Sequence, residues 1–148
     1  MTLVDYLKTS NKTHLIFDFD ETLFQLVVPW EKWEENFKDQ LINLDKQIYD
    51  DYIKGKISLN GMQNKYVLEF GNKAKNLMIQ ININFETKYF KDVIPNKELL
   101  EFVKQTTNYN LSIWSANTKY VIEKVLKIYG IENKFDKLDI LSWIYLNM

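Results

Sequence analysis

The chain has 148 residues, of which 46% are apolar and 15% aromatic, so it can bury a core and is expected to form one domain with room for an inserted subdomain. Its formal net charge of −1 gives no field for nucleic acid or an acidic membrane, and we expect neither as a partner. The absence of cysteine excludes disulfides and thiolate metal sites. The first residues lack a signal-peptide pattern and no apolar stretch reaches membrane-spanning length, which predicts a cytoplasmic protein and leaves the oligomeric state open.

An apolar run that ends in acidic residues is the first informative element. Residues 15–17 are apolar and lead into Asp18, Phe19 and Asp20, and Thr22 follows. Because side chains at i and i+2 of an extended strand share a face, Asp18 and Asp20 begin on the same side. The motif therefore predicts a strand that presents two carboxylates and a hydroxyl at its end.

The spacing of Asp18 and Asp20 also predicts a magnesium site. Two carboxylates this close repel each other unless a cation or a shared proton relieves the repulsion. Mg²⁺ suits them, because it takes one or two carboxylates and completes its octahedron with water and phosphate oxygens. A solvated turn is the alternative for any lone Asp-x-Asp. An EF-hand is excluded, because Leu23 and Pro29 stand where that loop needs Gly and Glu.

The next segment is predicted to be helical. Apolar side chains recur at helical spacing from Trp30 onward and again from Met62 to Met78. Gly55 and Gly61 lie between the two stretches, where we expect them to separate the helices. Residues 79–85 alternate with a period of two, which fits either a strand or a linker.

These patterns divide the chain into two parts. We expect residues 28–85 to form a helical insertion. Residues 1–27 and 86–148 would then form an α/β core around it.

A second junction of strand and helix lies downstream. A helix that opens near Pro95 leads to a strand over residues 110–115, which closes on Ser115. Helical spacing then continues to Gly130, a residue type that commonly follows a helix C-terminus. The Ser115 hydroxyl and the backbone amide of Ala116 would form a phosphate cradle at this junction. An ordinary helix cap is the alternative for Ser115 when it is considered alone.

Residues 17–23 resemble the first signature of the haloacid dehalogenase-like (HAD) superfamily, which reads Asp-x-Asp-x-Thr/Val after a buried strand. The resemblance implies that Asp18 is a nucleophile and magnesium ligand. It also implies that Asp20 is the general acid/base and that its backbone carbonyl helps to bind Mg²⁺. Many members have Gly where this chain has Glu21, although acidic residues recur there. Ser115 is similar to the second signature of the family, which implies that it binds the transferring phosphoryl group beside the Ala116 amide.

The same resemblance implies a three-layer, Rossmann-like α/β core with a short parallel sheet and an inserted helical cap. The implied activity is that of a Mg²⁺-dependent phosphatase, which acts through an aspartyl-phosphate on a small phosphorylated metabolite. The family also uses a Lys and further acidic metal ligands after the second signature. We do not find these before Met148, so we expect a HAD-like core that is shortened at its C-terminus. The alternative function is a weak or inactive HAD-like module that binds a phosphorylated ligand or a protein partner.

Overall fold

The computed structural model describes the backbone of residues 3–142 and the side chains of residues 5–135. The protein is α/β, as expected, and it divides into two compact units. The first unit combines residues 1–27 with residues 92–148, and the second is the segment 28–91. In chain order the described elements are α1 (Leu3–Thr9), β1 (His14–Phe17), β2 (Phe24–Val27), α2 (Trp30–Leu41), α3 (Lys46–Ile53), α4 (Leu59–Phe70), α5 (Asn72–Tyr89), β3 (Asp92–Pro95), α6 (Lys97–Gln105), β4 (Asn110–Ser115), α7 (Lys119–Ile128) and β5 (Phe135–Ser142).

The first unit contains two small sheets. Strands β1, β4 and β5 form a parallel sheet in the order β1-β4-β5, with Phe17 opposite Ile113 in the register of β1 and β4. Strands β2 and β3 form a separate antiparallel pair, with Phe24 opposite Pro95. The expected short parallel sheet is therefore present, and in it the strand before Asp18 neighbours the strand that ends at Ser115.

Helices α6 and α7 supply much of the apolar core of this unit. The Phe17 ring of β1 lies 6.5 Å from the Phe102 ring of α6 and 6.3 Å from that of Phe135, measured between ring centroids. The side chains of α7 that are buried repeat at helical spacing: Val121, Ile122, Val125 and Leu126. On the strands, Ile16 and Trp114 alternate with the buried positions and are 63% and 50% exposed. One face of the sheet thus carries most of the apolar packing among the described residues.

The second unit is made of helices α2 to α5 around its own core. The buried core residues come from all four helices: Phe37, Leu41, Ile48, Tyr49, Met62, Tyr66, Ala74, Met78 and Ile81. Helices α4 and α5 are separated at Gly71, whose φ of +56° is the left-handed conformation that glycine tolerates best. Gly61, in contrast, lies inside α4, so the expectation that it separates two helical stretches is wrong.

The expected end of the insertion is also corrected. Residues 79–85 form neither a strand nor a linker, since α5 runs through them to Tyr89. The buried side chains Met78, Ile81, Asn82 and Phe85 follow helical spacing along one face of α5. The unit therefore extends to Lys91 rather than to residue 85. No helix in the described part of the chain has the length and apolarity needed to cross a bilayer.

Candidate functional site

The predicted site residues follow two neighbouring parallel strands. Asp18 comes directly after the last residue of β1, and Ser115 is the last residue of β4. Because β1 and β4 are parallel and paired, their carboxyl ends lie at the same edge of the sheet. This is the edge at which open α/β sheets bind ligands.

A compact turn follows Asp18 and fixes Asp20. The backbone N–H groups of Leu23 and Phe24 both donate to the carbonyl oxygen of Phe19, at 3.1 and 3.0 Å. The strand therefore ends at Phe17, earlier than the sequence suggested, and Asp20 belongs to the turn. Phe19 is fully buried, which anchors the turn in the core.

The two carboxylates differ in their surroundings. Asp18 is exposed, and its Oδ1 accepts a 2.7 Å hydrogen bond from the N–H of Phe19. Asp20 is half-buried, and its Oδ1 accepts from the N–H of Leu26 at 2.8 Å and of Glu21 at 3.2 Å.

These surroundings shift the pKa of Asp20 upward. Burial is the main cause, and it outweighs the lowering effect of the two backbone hydrogen bonds on the pKa. The negative charges of Glu21 and Asp18 raise the pKa further. The turn thus keeps Asp20 easier to protonate than an ordinary aspartate, which suits an acid/base.

Ser115 is held by a residue that the sequence analysis missed. Its buried hydroxyl donates to Oδ1 of Asn117 at 2.8 Å and accepts from the N–H of Asn117 at 3.2 Å. The helix-cap alternative for Ser115 is wrong, because Thr118 caps α7 by accepting from the N–H of Val121. The Ser-x-Asn spacing, which places two short polar side chains around one turn, was the available signal for Asn117. Ala116 lies between Ser115 and Asn117 and is exposed.

A cleft adjoins the turn that carries Asp20. It has a volume of about 420 Å³, and its wall includes Glu21, Thr22, Gln25, Ile94 and Asn96. These residues come from the Asp20 turn, from β2 and from the region where β3 ends. The cleft is large enough for a small organic group.

The donor groups at this sheet edge match what Mg²⁺ requires. Asp18 and Asp20 offer carboxylate oxygens, and Mg²⁺ binds through one or two carboxylates while retaining water. The two residues therefore fit this ion. The part of the chain that the structure describes contains no cluster of three or more His, Cys, Asp or Glu residues placed to hold a metal.

The site thus combines an exposed carboxylate, a carboxyl group with a raised pKa and a buried hydroxyl at one sheet edge. This arrangement can support nucleophilic attack, proton transfer and the binding of an oxyanion. No family model matches the chain, and no curated protein is similar to it at a significant level.

Proposed function

We propose that the protein is a Mg²⁺-dependent phosphatase of the HAD type that acts on a small phosphorylated metabolite. The observation that carries the proposal is the placement of Asp18 and Asp20 at the carboxyl end of β1, beside the strand that ends at Ser115. A nucleophile, an acid/base and an oxyanion ligand are the groups that phosphoryl transfer through an enzyme-bound intermediate requires.

In the first step, a carboxylate oxygen of Asp18 bonds to phosphorus while the bond from phosphorus to the ester oxygen breaks. Asp20, in its protonated form, gives its proton to the departing oxygen. In the second step Asp20 takes a proton from water, whose oxygen bonds to phosphorus as the bond between phosphorus and the Asp18 oxygen breaks. Phosphate is released and both carboxyl groups return to their starting states.

Two groups would stabilise the charge of the transferring phosphoryl group. Asp18 through its carboxylate and Asp20 through its backbone carbonyl, as the HAD resemblance implies, would hold Mg²⁺, which when bound neutralises charge on the phosphoryl oxygens. Ser115, with the amide of Ala116, would bind another phosphoryl oxygen. To do so, the Ser115 hydroxyl would turn its hydrogen from Oδ1 of Asn117 to the phosphoryl oxygen. The backbone N–H of Asn117, which donates to the Ser115 hydroxyl oxygen, would keep that oxygen in place.

The remaining parts of the proposal follow the HAD resemblance. The core would be the three-layer, Rossmann-like type, and the helical unit would act as a cap that selects the substrate. The helical unit supports this part because the chain leaves the core after β2 and returns to it at β3. A cytoplasmic location is part of the same proposal.

The proposal is tested by hydrolysis of a phosphate monoester with and without Mg²⁺. Asp18→Asn should reduce the rate to that without protein, because it removes the nucleophile. Ser115→Ala should reduce the rate about a hundredfold, which is typical for the loss of one oxyanion ligand.

Ser112→Ala is the matched control. Ser112 is a buried serine on the same strand, but its hydroxyl contacts Nε2 of His14 at 2.6 Å, away from the strand end. Its loss should leave hydrolysis unchanged. Mg²⁺-dependent hydrolysis that persists in Asp18→Asn would contradict the proposal.

A further inference from the structure

The cleft beside Asp20 has a mostly polar wall that carries one negative charge. Glu21 is charged, whereas Thr22, Gln25 and Asn96 are neutral. Of the described residues that line the cleft, Glu21 is the one with an ionisable side chain. Glu21 is exposed and forms no salt bridge within the described residues. The cleft therefore carries a net negative charge.

Two residues that line the cleft contact Asp20, the proposed acid/base, through backbone groups. The N–H of Glu21 donates to Oδ1 of Asp20 at 3.2 Å. Phe24, which also lines the cleft, pairs with Asp20 as an isolated bridge. Asp20 does not itself line the cleft, but Glu21 and Phe24 do, so the cleft lies beside the proposed acid/base.

The conformation of Glu21 adds an independent observation. Its φ of +60° is in the left-handed region, where a residue with a Cβ is sterically strained. Among the described residues it is the one non-glycine residue with a positive φ. Backbone strain of this kind clusters at active sites and ligand clamps, so the turn at Glu21 has the character of a functional segment.

We propose that this cleft receives the leaving group of the phosphate ester and that Glu21 favours leaving groups which carry a positive charge. The inference rests on the proposed phosphatase function, and it names the substrate class: phosphate esters of amino alcohols rather than of hydroxy acids. An ammonium in the cleft gains attraction from Glu21, whereas a carboxylate is repelled by it.

The expected selectivity is modest, because the cleft is open to solvent. Exposed pairs of opposite charge contribute about 0 to 1 kcal/mol, which corresponds to a preference of at most about fivefold for a cation over a neutral group, and we expect about threefold. Repulsion of an anion should widen the span between cation and anion to about tenfold. About 0.5 M salt should compress both ratios, since it screens exposed charges.

The experiment measures dissociation constants of three matched esters in the presence of Mg²⁺: 3-aminopropyl phosphate, 3-hydroxypropyl phosphate and 3-phosphooxypropanoate. The full chain with Asp18→Asn is used, so that no ester is consumed. We expect the amino ester to bind most tightly and the carboxylate ester most weakly. Glu21→Gln should bring the three constants together, and Gln25→Glu, which adds a charge to the same wall, should spread them further.

Glu98→Gln is the control, because Glu98 is an exposed carboxylate on α6 that does not line this cleft. It should keep the ranking of the wild-type cleft. Equal constants for the three esters, no binding of any of them, or a ranking that survives Glu21→Gln would each overturn the inference. Hydrolysis of the same esters by the unmodified chain is measured in a separate assay. If the esters bind in the expected order but are not hydrolysed, the phosphatase proposal fails and the inference about the cleft does not.

Discussion

At the scale of single residues, Glu21 is expected to limit the stability of the turn. Glu21→Gly and Glu21→Ala both remove the carboxylate, but only glycine tolerates a φ of +60° without a steric cost. We expect the glycine variant to be about 1 kcal/mol more stable than the alanine variant, measured by urea unfolding. Equal stability of the two variants would show that the turn relaxes out of the left-handed conformation.

Tyr66 makes the stability of the helical unit depend on alkaline pH. Its fully buried hydroxyl donates to the carbonyl oxygen of Asp45 at 2.6 Å, and burial raises its pKa to about 12. An unfolded tyrosine titrates near 10, so the unfolded chain loses this proton first. The contribution is therefore complete below about pH 10 and is lost as the pH rises toward 12.

Tyr66→Phe isolates this effect from other titrations. Between about pH 9 and about pH 11, the wild-type chain should lose about 1 kcal/mol more unfolding free energy than the phenylalanine variant. Chemical unfolding at a series of pH values measures the difference. Parallel pH profiles for the two proteins would show that Tyr66 titrates normally in the fold.

At the scale of elements, the pairing of α4 with α5 leaves two buried polar atoms unsatisfied. Nζ of Lys75 and Oε1 of Gln63 lie in the interior of the helical unit with no hydrogen-bond partner among the described residues. Replacing a buried, unpartnered polar group by an apolar one of similar shape removes a desolvation cost of about 1 to 3 kcal/mol. We expect Lys75→Met to raise the unfolding free energy by about that amount.

Lys73→Met is the matched control on the same helix. Lys73 is exposed, so its replacement should change stability by less than about 0.5 kcal/mol. Thermal or urea unfolding of the two variants makes the comparison. A loss of stability in Lys75→Met would indicate that the ammonium is satisfied in solution.

The elements that the sequence predicted well are those with strong local signals. The apolar run before Asp18 and the strand before Ser115 were both placed correctly, since each is bounded by polar turn residues. Gly130 follows α7 with a φ of +66°, as its position after the helical pattern indicated. The prediction for residues 79–85 was wrong because a segment with a period of two can also satisfy helical spacing. Only the packing of Ile81 and Phe85 in the helical unit decides between a strand and a helix.

The parts of the site that could be predicted are those whose residues lie close together in the sequence or at a recognisable strand end. Asp18 and Asp20 could be grouped by spacing alone, and Ser115 by its place at the end of a strand. Spacing alone could not link Asn117 to Ser115, because a turn of this type depends on where the following helix begins. The cleft at Glu21 joins residues 21–25 to residues 94–96, and only the antiparallel pairing of β2 with β3 brings these distant segments together.

At the scale of the whole molecule, the fold separates chemistry from packing. The residues proposed to carry out phosphoryl transfer belong to the α/β unit, where two parallel strands bring them to one edge. The helical unit has its own core, in which side chains of all four of its helices are buried together. Changes to this core should therefore act on stability, whereas changes at Asp18 should act on chemistry.

The most direct test of the central claim is the binding of beryllofluoride in the presence of Mg²⁺, followed by ¹⁹F NMR. This anion binds to an aspartate carboxylate in the geometry of an aspartyl-phosphate, so it detects a competent nucleophile without requiring turnover. We predict protein-bound fluorine resonances for the wild-type chain and for Asp20→Asn, and their loss in Asp18→Asn. Bound resonances that persist in Asp18→Asn, or a wild-type chain that shows none, would contradict the assignment of Asp18 as the nucleophile.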